Sequence, residues 1–221
     1  MAQILEWDQA GERLYETGLD HGVLYIPNES GVYDNGVAWN GLVSVSESPT
    51  GAEANPQYAD NIKYLNLVSI EEFEATIEAF TYPDEFNQFD GAAEPQPGVY
   101  VGQQNRTPFG LCYRTLLGDD LQGTDRGYKL HMVYNCLVTP TEKSYNTVND
   151  SPEAITFSWD MTTTPVAVTG YKPSATLVVD STAVDSDDLA ALEVILYGDD
   201  TGPTDPRLPL PDEIITLLTP A

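Results

Sequence analysis

The chain has 221 residues, and its 35 acidic against 9 basic side chains give a formal net charge of −26. Its length suits one large all-β domain or two small ones, and 41% hydrophobic residues with 10% aromatics exclude general disorder. The charge argues against sequence-independent binding to nucleic-acid phosphates, because such binding needs Lys and Arg. A surface past which DNA slides without sticking would nevertheless also be acidic, and plain solubility is the simpler reason for such a charge.

The N-terminal residues show no basic segment followed by an apolar run, so we expect no signal peptide. No stretch approaches the roughly 18 consecutive apolar residues that a membrane helix needs. Cys112 and Cys136 are the only cysteines. Without a secretory signal, we expect both to be buried and reduced.

The first part of the chain predicts an arm and then a hairpin. Residues 1–20 show no sustained period and are interpreted as an extended N-terminal arm. Residues 22–27 form a short apolar run, and the pair Asn35-Gly36 favours a type I′ turn. Residues 37–46 alternate between apolar and polar types, so strand, turn and strand are expected in that order.

Residues 47–61 form a long polar stretch with two prolines, several small residues and no base. The stretch is too long for a tight hairpin and too polar for a core. Composition alone favours a disordered surface loop. Because long loops in compact domains are often functional, a contact between subunits is the alternative.

The central segment, residues 72–82, alternates strictly and predicts a half-buried strand. One face carries Phe73, Ala75, Ile77, Ala79 and Thr81, whereas the other carries Glu72, Glu74, Thr76, Glu78, Phe80 and Tyr82. A helix over residues 70–80 competes, since Glu and Ala favour helix and the apolar residues also fit helical spacing. Pro83 ends the strand, and Asp84 and Glu85 suit the first turn of a short helix.

The second half of the chain predicts four more strands and one helix. The strands are residues 109–117, 127–138, 154–164 and 171–180. Asp185 or Ser186 can cap a helix that ends near Gly198. Residues 199–221 are rich in proline, and they contain an apolar patch that we expect to dock on another surface, namely Ile214, Ile215, Leu217 and Leu218.

No pattern in the sequence predicts catalysis or a cofactor. His21 and His131 stand apart from each other and from the cysteines, which argues against a zinc site. Nucleophile-elbow, Walker A and Rossmann motifs are absent from the sequence. The acidic cluster at residues 185–188 lacks the Gly and Glu of a calcium loop, and in so acidic a chain the pair Glu72 and Glu74 arises readily by chance. We therefore expect no enzyme activity, no metal and no cofactor.

Three stretches resemble the tail tube (major tail) proteins of long-tailed bacteriophages. They are FEATIEAFTYPDEF at residues 73–86 with Gly91 after it, the hairpin-like residues 20–48, and the loop at residues 47–61. The resemblance covers about residues 10–200. It implies a mainly β chain, a β-sandwich or barrel over residues 21–198 flanked by one α-helix, with arms at residues 1–20 and 199–221.

The same resemblance implies a structural virion protein. Such chains form hexameric rings that stack into a hollow tube. The tube assembles around a tape-measure protein in the host cytoplasm and contacts tail terminator and distal tail initiator proteins. It conducts DNA through an acidic lumen without binding it. The type VI secretion tube protein shares this architecture. The lumen-facing candidates are Glu72, Glu74 and Glu78. The inter-ring loop candidates are Glu47, Pro49, Glu53, Pro56, Tyr58 and Asp60.

A carbohydrate-binding or adhesion β-sandwich, secreted or carried on a virion, is the competing hypothesis. Exposed Trp and Tyr side chains on one sheet would favour it. The missing signal peptide and calcium site argue against it.

Overall fold

The computed structural model describes residues 4–148, 150, 153–199, 202 and 204–219. This part of the chain is mainly β, as the sequence predicts. It contains a 3-10 helix and two α-helices, one α-helix more than predicted. The strands are β1 (Tyr15–Pro27), β2 (Tyr33–Trp39), β3 (Leu42–Glu47), β4 (Ala54–Ala59), β5 (Ile62–Val68), β6 (Glu74–Ala79), β7 (Ala93–Gln96), β8 (Val99–Val101), β9 (Phe109–Asp119), β10 (Gly123–Thr139), β11 (Phe157–Thr163) and β12 (Thr176–Asp180). The helices are the 3-10 helix Asp84–Gln88, α1 (Ser186–Tyr197) and α2 (Pro211–Leu217).

Eight strands form one antiparallel sheet in the order β2-β1-β9-β10-β11-β6-β3, with β12 also paired to β10. β2 and β3 stand at opposite ends of this order, although only Asn40 and Gly41 separate them in the chain. The sheet therefore curls until its two ends approach each other. A Cβ atom on Gly22 of β1 would lie 2.2 Å from Cδ1 of Leu42 in β3, which shows how close the ends are.

The inner face of the curled sheet encloses an aromatic core. β6 buries Ala75, Ile77 and Ala79 at every second position, and Ile77 pairs with Trp159 of β11. Both Ile77 and Trp159 are 0% exposed. The strand predicted over residues 72–82 is confirmed for Glu74–Ala79, and the competing helix is wrong, because β3 and β11 pair with the two edges of β6.

The chain changes direction after β6. Tyr82, which the alternation assigned to the polar face, turns inward and meets the ring of Trp159 edge-on at 5.3 Å between centroids. The period of two does not extend to this residue because the strand has already ended. Pro83 precedes the 3-10 helix, whose first turn contains Asp84 and Glu85 as predicted.

We call the curled eight-stranded sheet the barrel. A second core lies on its outer face, where α1 and α2 cover β1, β9, β10 and β12. Asp185 caps α1 by accepting a hydrogen bond from the backbone N–H of Asp187, and Gly198 ends the helix with φ of 86°. This helix agrees with the sequence prediction. Its buried side chains are Leu189, Leu192 and Leu196.

The C-terminal apolar patch forms α2 and packs on this same chain. Ile214 is 1% exposed in the second core, and Leu217 and Leu218 pack against that core. The predicted docking surface is therefore the chain's own sheet and α1. The predicted arms also include residues 1–3, 200, 201, 203, 220 and 221, which lie outside the described residues. The division of the chain at residues 20 and 198 stays a prediction.

The first hairpin differs from the predicted one. Its turn lies at residues 28–32, where Oδ1 of Asn28 accepts hydrogen bonds from the N–H groups of Ser30 and Val32. The Asn35-Gly36 pair lies inside β2, so the predicted type I′ turn is wrong. The strand predicted over residues 37–46 is divided by a turn at residues 40 and 41.

β1 begins within the segment that the sequence assigns to an arm. Tyr15 and Glu16 pair with Gly118 and Leu117 of β9, so residues 15–20 belong to the sheet. Register shifts interrupt this pairing near Asp20, and they explain why no regular period is visible there.

Candidate functional site

The two helices leave the outer face of β3, β6 and β11 uncovered. Residues that pair across antiparallel strands lie on one face of a sheet. Glu78 pairs with Ser44 and Ser158, and Thr76 pairs with Asp160. Among its described residues this face carries three carboxylates and neither Lys nor Arg: Ser44, Ser46, Glu74, Thr76, Glu78, Ser158, Asp160 and Thr162. We call this surface the acidic face.

Hydroxyl groups hold two of the three carboxylates of the acidic face. Ser44 Oγ donates a hydrogen bond of 2.9 Å to Glu78 Oε2, and Thr76 Oγ1 donates one of 2.8 Å to Asp160 Oδ1. A hydroxyl orients a carboxylate without neutralising it. The negative charge of the face therefore remains available to anything that approaches it.

The structure brings two of the three predicted lumen candidates onto this face. Glu74 and Glu78 lie on the same face of β6, two strand repeats apart. Glu72 precedes β6, and its backbone forms an isolated bridge with Thr50. Sequence reasoning missed Asp160 as a site residue. The alternation of residue types in its strand nevertheless places Asp160 on the exposed face and its neighbour Trp159 on the buried face.

Residues 47–61 begin a β-hairpin instead of a disordered loop. β4 and β5 pair with each other and with no other described strand, and the hairpin extends to Val68. Its turn contains Asp60 and Asn61 with φ of 51° and 62°. These left-handed values are those that a two-residue hairpin turn needs, and Asn and Asp adopt them more readily than most residues.

The hairpin exposes large apolar side chains. Tyr58, Ile62 and Tyr64 near its tip are 72%, 62% and 67% exposed, and Leu67 and Val68 near its base are more than half exposed. A two-stranded hairpin is at best marginally stable in water without a partner surface. Clustered exposed apolar side chains of this kind are typical of surfaces that bind another protein.

The predicted inter-ring residues are spread along this hairpin and its approach. Pro56 and Tyr58 lie in β4, and Asp60 lies in the turn. Pro49 and Glu53 lead into β4, where the backbone N–H of Glu53 donates to Ser69 Oγ. Glu47 is the last residue of β3, and its carboxylate accepts a hydrogen bond from Tyr113 of β9. The loop predicted from the sequence ends at residue 61. It therefore omits β5, which begins directly after the Asp60-Asn61 turn.

A polar cluster joins the root of the hairpin to the start of β1. Tyr113 Oη donates a hydrogen bond of 2.6 Å to Glu47 Oε1. His131 stacks on Tyr113 with 4.7 Å between ring centroids, and its ring lies between Glu47 and Glu16 at 3.7 Å and 3.6 Å. Burial lowers the pKa of His131, despite the opposing effect of the two carboxylates. Lys129 pairs with Glu16 at 2.6 Å.

Other candidate sites find little support in the described residues. No group of three His, Cys, Asp or Glu side chains there has the arrangement of a metal site. Trp39 and Trp159 are 3% and 0% exposed, so neither offers a sugar-stacking platform on the eight-stranded sheet. Trp7 is exposed but precedes β1, and the exposed Tyr58 and Tyr64 lie in the separate β4–β5 hairpin. None of the described helices combines the length and apolar character that a membrane crossing requires.

No protein-family model matches the chain, and no curated protein matches it. Among solved structures it is similar to a chain of the anti-feeding prophage baseplate, with TM-score 0.37 and 10% identity over 79% of this chain and 97% of that one. It is also similar to a chain of the PVC sheath-tube complex, an extracellular contractile injection system, with TM-score 0.32 and 12% identity over 72% and 88%. A third is the anti-feeding prophage tube-terminating cap, with TM-score 0.35 and 11% identity over 81% and 96%. None of the three is a siphovirus tail. Because TM-scores below 0.5 do not establish a shared fold, the function has to follow from the chain's own residues.

Proposed function

We propose that this chain is a non-enzymatic tail tube subunit of a long-tailed bacteriophage, with stacked hexameric rings forming a hollow conduit for DNA. The observation that carries the proposal is the acidic face, the uncovered outer side of three of the eight strands, with Glu74, Glu78 and Asp160 and neither Lys nor Arg among its described residues. Tape-measure, terminator and distal tail initiator proteins are the partners in the virion tail, which is assembled in the host cytoplasm.

The acidic face suits the wall of a channel for DNA. A ring of six chains would carry a formal charge of six times −26, or −156. Like charges repel within about one Debye length, ~8 Å at physiological salt. A wall that repels phosphates at every ring prevents DNA from binding, so that the polymer slides through.

The hairpin β4–β5 suits the contact between copies. Its exposed apolar residues would be buried against a neighbouring subunit, and burial contributes about 25 cal/mol per Å² of apolar surface. Because this contact joins different surfaces of two copies, it is head-to-tail and can propagate into a filament.

Electron microscopy of the purified chain, alone and with a tail initiator, tests assembly directly. We expect tubes from the unchanged chain. Replacing Tyr58, Ile62 and Tyr64 together by Ser should abolish them while leaving the fold intact, because all three side chains lie outside both cores.

A matched control replaces three equally exposed apolar residues outside the hairpin, Leu121, Val148 and Tyr171, by Ser. This variant should still form tubes. A chain that stays monomeric at high concentration with the initiator present would refute the proposal.

A second experiment tests the channel wall. Replacing Glu72, Glu74 and Glu78 by Lys should permit assembly and impair DNA ejection, because the wall would then attract phosphates. The control converts three exposed glutamates elsewhere, Glu29, Glu85 and Glu153, to Lys. If phage carrying the first variant infect normally, these glutamates do not line the lumen.

A further inference from the structure

The ammonium group of Lys143 occupies a pocket of three aromatic rings and one carboxylate. Its Nζ atom lies 5.8, 5.9 and 5.8 Å from the ring centroids of Tyr82, Phe157 and Trp159, within the range of cation–π attraction. The same atom forms an ion pair with Asp90, whose side chain is only 11% exposed. We call these four residues the ammonium pocket.

The walls of the ammonium pocket belong to the barrel and are rigidly held. Tyr82 meets Phe157 edge-on at 5.5 Å, and Trp159 is fully buried. Arg106 Nη2 donates a hydrogen bond of 2.8 Å to the backbone carbonyl of Asp90, which holds the backbone of that residue in place. Contacts other than those with Lys143 therefore hold the walls of the pocket.

The segment that supplies the occupant is held much less firmly. Residues 140–148 form no backbone–backbone hydrogen bond with another described residue. Besides Lys143, the side chain of Thr141 attaches the segment by donating to the carbonyl of Ser158. Tyr145 and Val148 are 72% and 84% exposed. A rigid host with a loosely tethered guest favours exchange of the guest.

Few other ammonium groups are free to enter the pocket. Of the cationic side chains in the described residues, those of Lys63 and Lys172 form neither an ion pair nor a hydrogen bond. The others are held by internal contacts: Arg13 with Asp120, Arg106 with the Asp90 carbonyl, Arg114 with Asp20, Arg126 with Asp119, Lys129 with Glu16, Lys143 with Asp90 and Arg207 with Glu213.

The position of Lys63 in the fold suits a contact with the ammonium pocket of a second copy. Lys63 lies beside the tip of the β4–β5 hairpin, opposite Tyr58. The hairpin leaves the barrel next to Glu74, where β6 begins, whereas Tyr82 of the pocket follows the end of β6. Hairpin and pocket therefore lie at opposite ends of the same strand. Copies arranged head-to-tail bring the hairpin tip of one toward the pocket of the next.

We propose that the ammonium pocket is an exchangeable site that holds Lys143 in the free chain and takes Lys63 of a second copy in a head-to-tail contact. The exchange rests on the proposed function, because it requires assembly of copies. The existence of the site does not, and the two are tested separately.

The site itself is tested in the monomeric K143A variant with n-butylammonium, which has the four carbon atoms and the ammonium group of a lysine side chain. We expect saturable binding with a change in tryptophan fluorescence. Binding should be at least tenfold weaker in K143A carrying Asp90→Asn, and weaker also in the unchanged chain, where Lys143 competes for the pocket. Lys143→Met, which retains the apolar stem, provides a second test in case K143A is poorly folded. Absence of saturable binding in both single variants, or binding that Asp90→Asn leaves unchanged, would overturn the site.

The exchange is tested with a zero-length carbodiimide, which couples a carboxylate to an amine in direct contact. Equal amounts of ¹⁴N- and ¹⁵N-labelled chains are assembled, coupled and digested for mass spectrometry. In free chains we expect an Asp90–Lys143 link, and in assembled chains a mixed-isotope Asp90–Lys63 link with the first link reduced at least severalfold. K172A, the matched control, should give the same result.

An undiminished Asp90–Lys143 link in assembled chains, or a link from Asp90 to Lys172, would overturn the exchange. A chain that never assembles would overturn both the exchange and the proposed function. In that case the butylammonium experiment still decides whether the site exists.

Discussion

His131 shows how burial and charge compete at a single residue. Its ring lies against Tyr113 and hydrogen-bonds with Thr115 at 2.9 Å, between the carboxylates of Glu16 and Glu47, with Lys129 beside Glu16. Burial outweighs the carboxylates and lowers the pKa below the ordinary 6.5. The folded chain therefore prefers the neutral imidazole at this position.

The lowered pKa of His131 predicts a loss of stability on mild acidification. As the pH falls below about 6.5, the unfolded state takes up the proton first, so the free energy of unfolding decreases until the lower folded pKa is reached. The slope cannot exceed about 1.4 kcal/mol per pH unit for one proton. Urea unfolding between pH 7.5 and 5.5 measures it.

His131→Gln should remove this slope, whereas His21→Gln should retain it. A slope that persists in His131→Gln would assign it to other groups. The lowered pKa values of Glu16 and Asp20, caused chiefly by Lys129 and Arg114, act only at lower pH, since their contribution is present above the unfolded pKa and is lost as the pH falls through the folded one.

The two cysteines give a second prediction at this scale. Both are free and fully buried, and burial raises the pKa of Cys112 to about 12 and also raises that of Cys136. Because the thiolate is the reactive form, a thiol-specific disulfide reagent at pH 8 should modify both at least ~10³-fold more slowly in the folded chain than in denaturant. Rapid reaction of either thiol in the native chain would contradict its burial.

The strands and α1 were predictable because local pattern and tertiary packing agree in them. Ile77 and Trp159 stand in strictly alternating segments, and Asp185 provides a cap for α1. The first turn was not predictable, because the Asn35-Gly36 pair is a turn signal in the sequence, whereas the observed turn is held by hydrogen bonds to the side chain of Asn28. Composition likewise could not reveal that residues 54–68 form a hairpin, because its apolar side chains are exposed and leave no buried face.

The candidate site was predictable only in part. The alternation identified Glu74 and Glu78, but a single strand cannot show which neighbouring side chains share its face. Asp160 joins them through a pairing between β6 and β11 that connects distant parts of the chain. The ammonium pocket has no sequence signature at all, since Lys143 and Asp90 meet only through the fold.

At the scale of the element, β6 provides a direct test of the barrel. Ile77→Ala should lower the free energy of unfolding by about 2–5 kcal/mol, because it leaves a cavity in a closed core. Thr76→Ala, the adjacent control on the acidic face, loses one hydrogen bond and should cost about 1 kcal/mol. Equal effects of the two substitutions in urea unfolding would show that β6 does not divide core from surface.

At the scale of the whole molecule, the net charge of −26 opposes association of copies. The exposed hairpin supplies an apolar contact that salt does not weaken, whereas salt shortens the reach of repulsion from ~10 Å at 0.1 M to ~3 Å at 1 M. We therefore expect sodium chloride to promote tube formation over this range, as measured by light scattering and confirmed by electron microscopy.

The matched control for this experiment is the variant with Tyr58, Ile62 and Tyr64 replaced by Ser, which should not scatter more at any salt concentration. Tubes that dissociate as salt is added would show that ion pairs, and not apolar burial, dominate the contact. If a variant with fewer acidic residues no longer responds to salt, the repulsion between copies is due to the acidic residues that were removed.

The curled sheet also determines when the chain can fold during synthesis. β1 pairs with β9, and β6 pairs with β11, and in both cases the partner strand is synthesised much later. The first half of the chain therefore leaves the ribosome before these partner strands exist. Pairings between distant segments are slow to form, and the barrel cannot close until residue 163 has been made. The hairpin, by contrast, is local and complete by residue 68. The contact surface is thus synthesised long before the barrel that carries it, which leaves an interval in which nascent chains depend on their negative charge to remain apart.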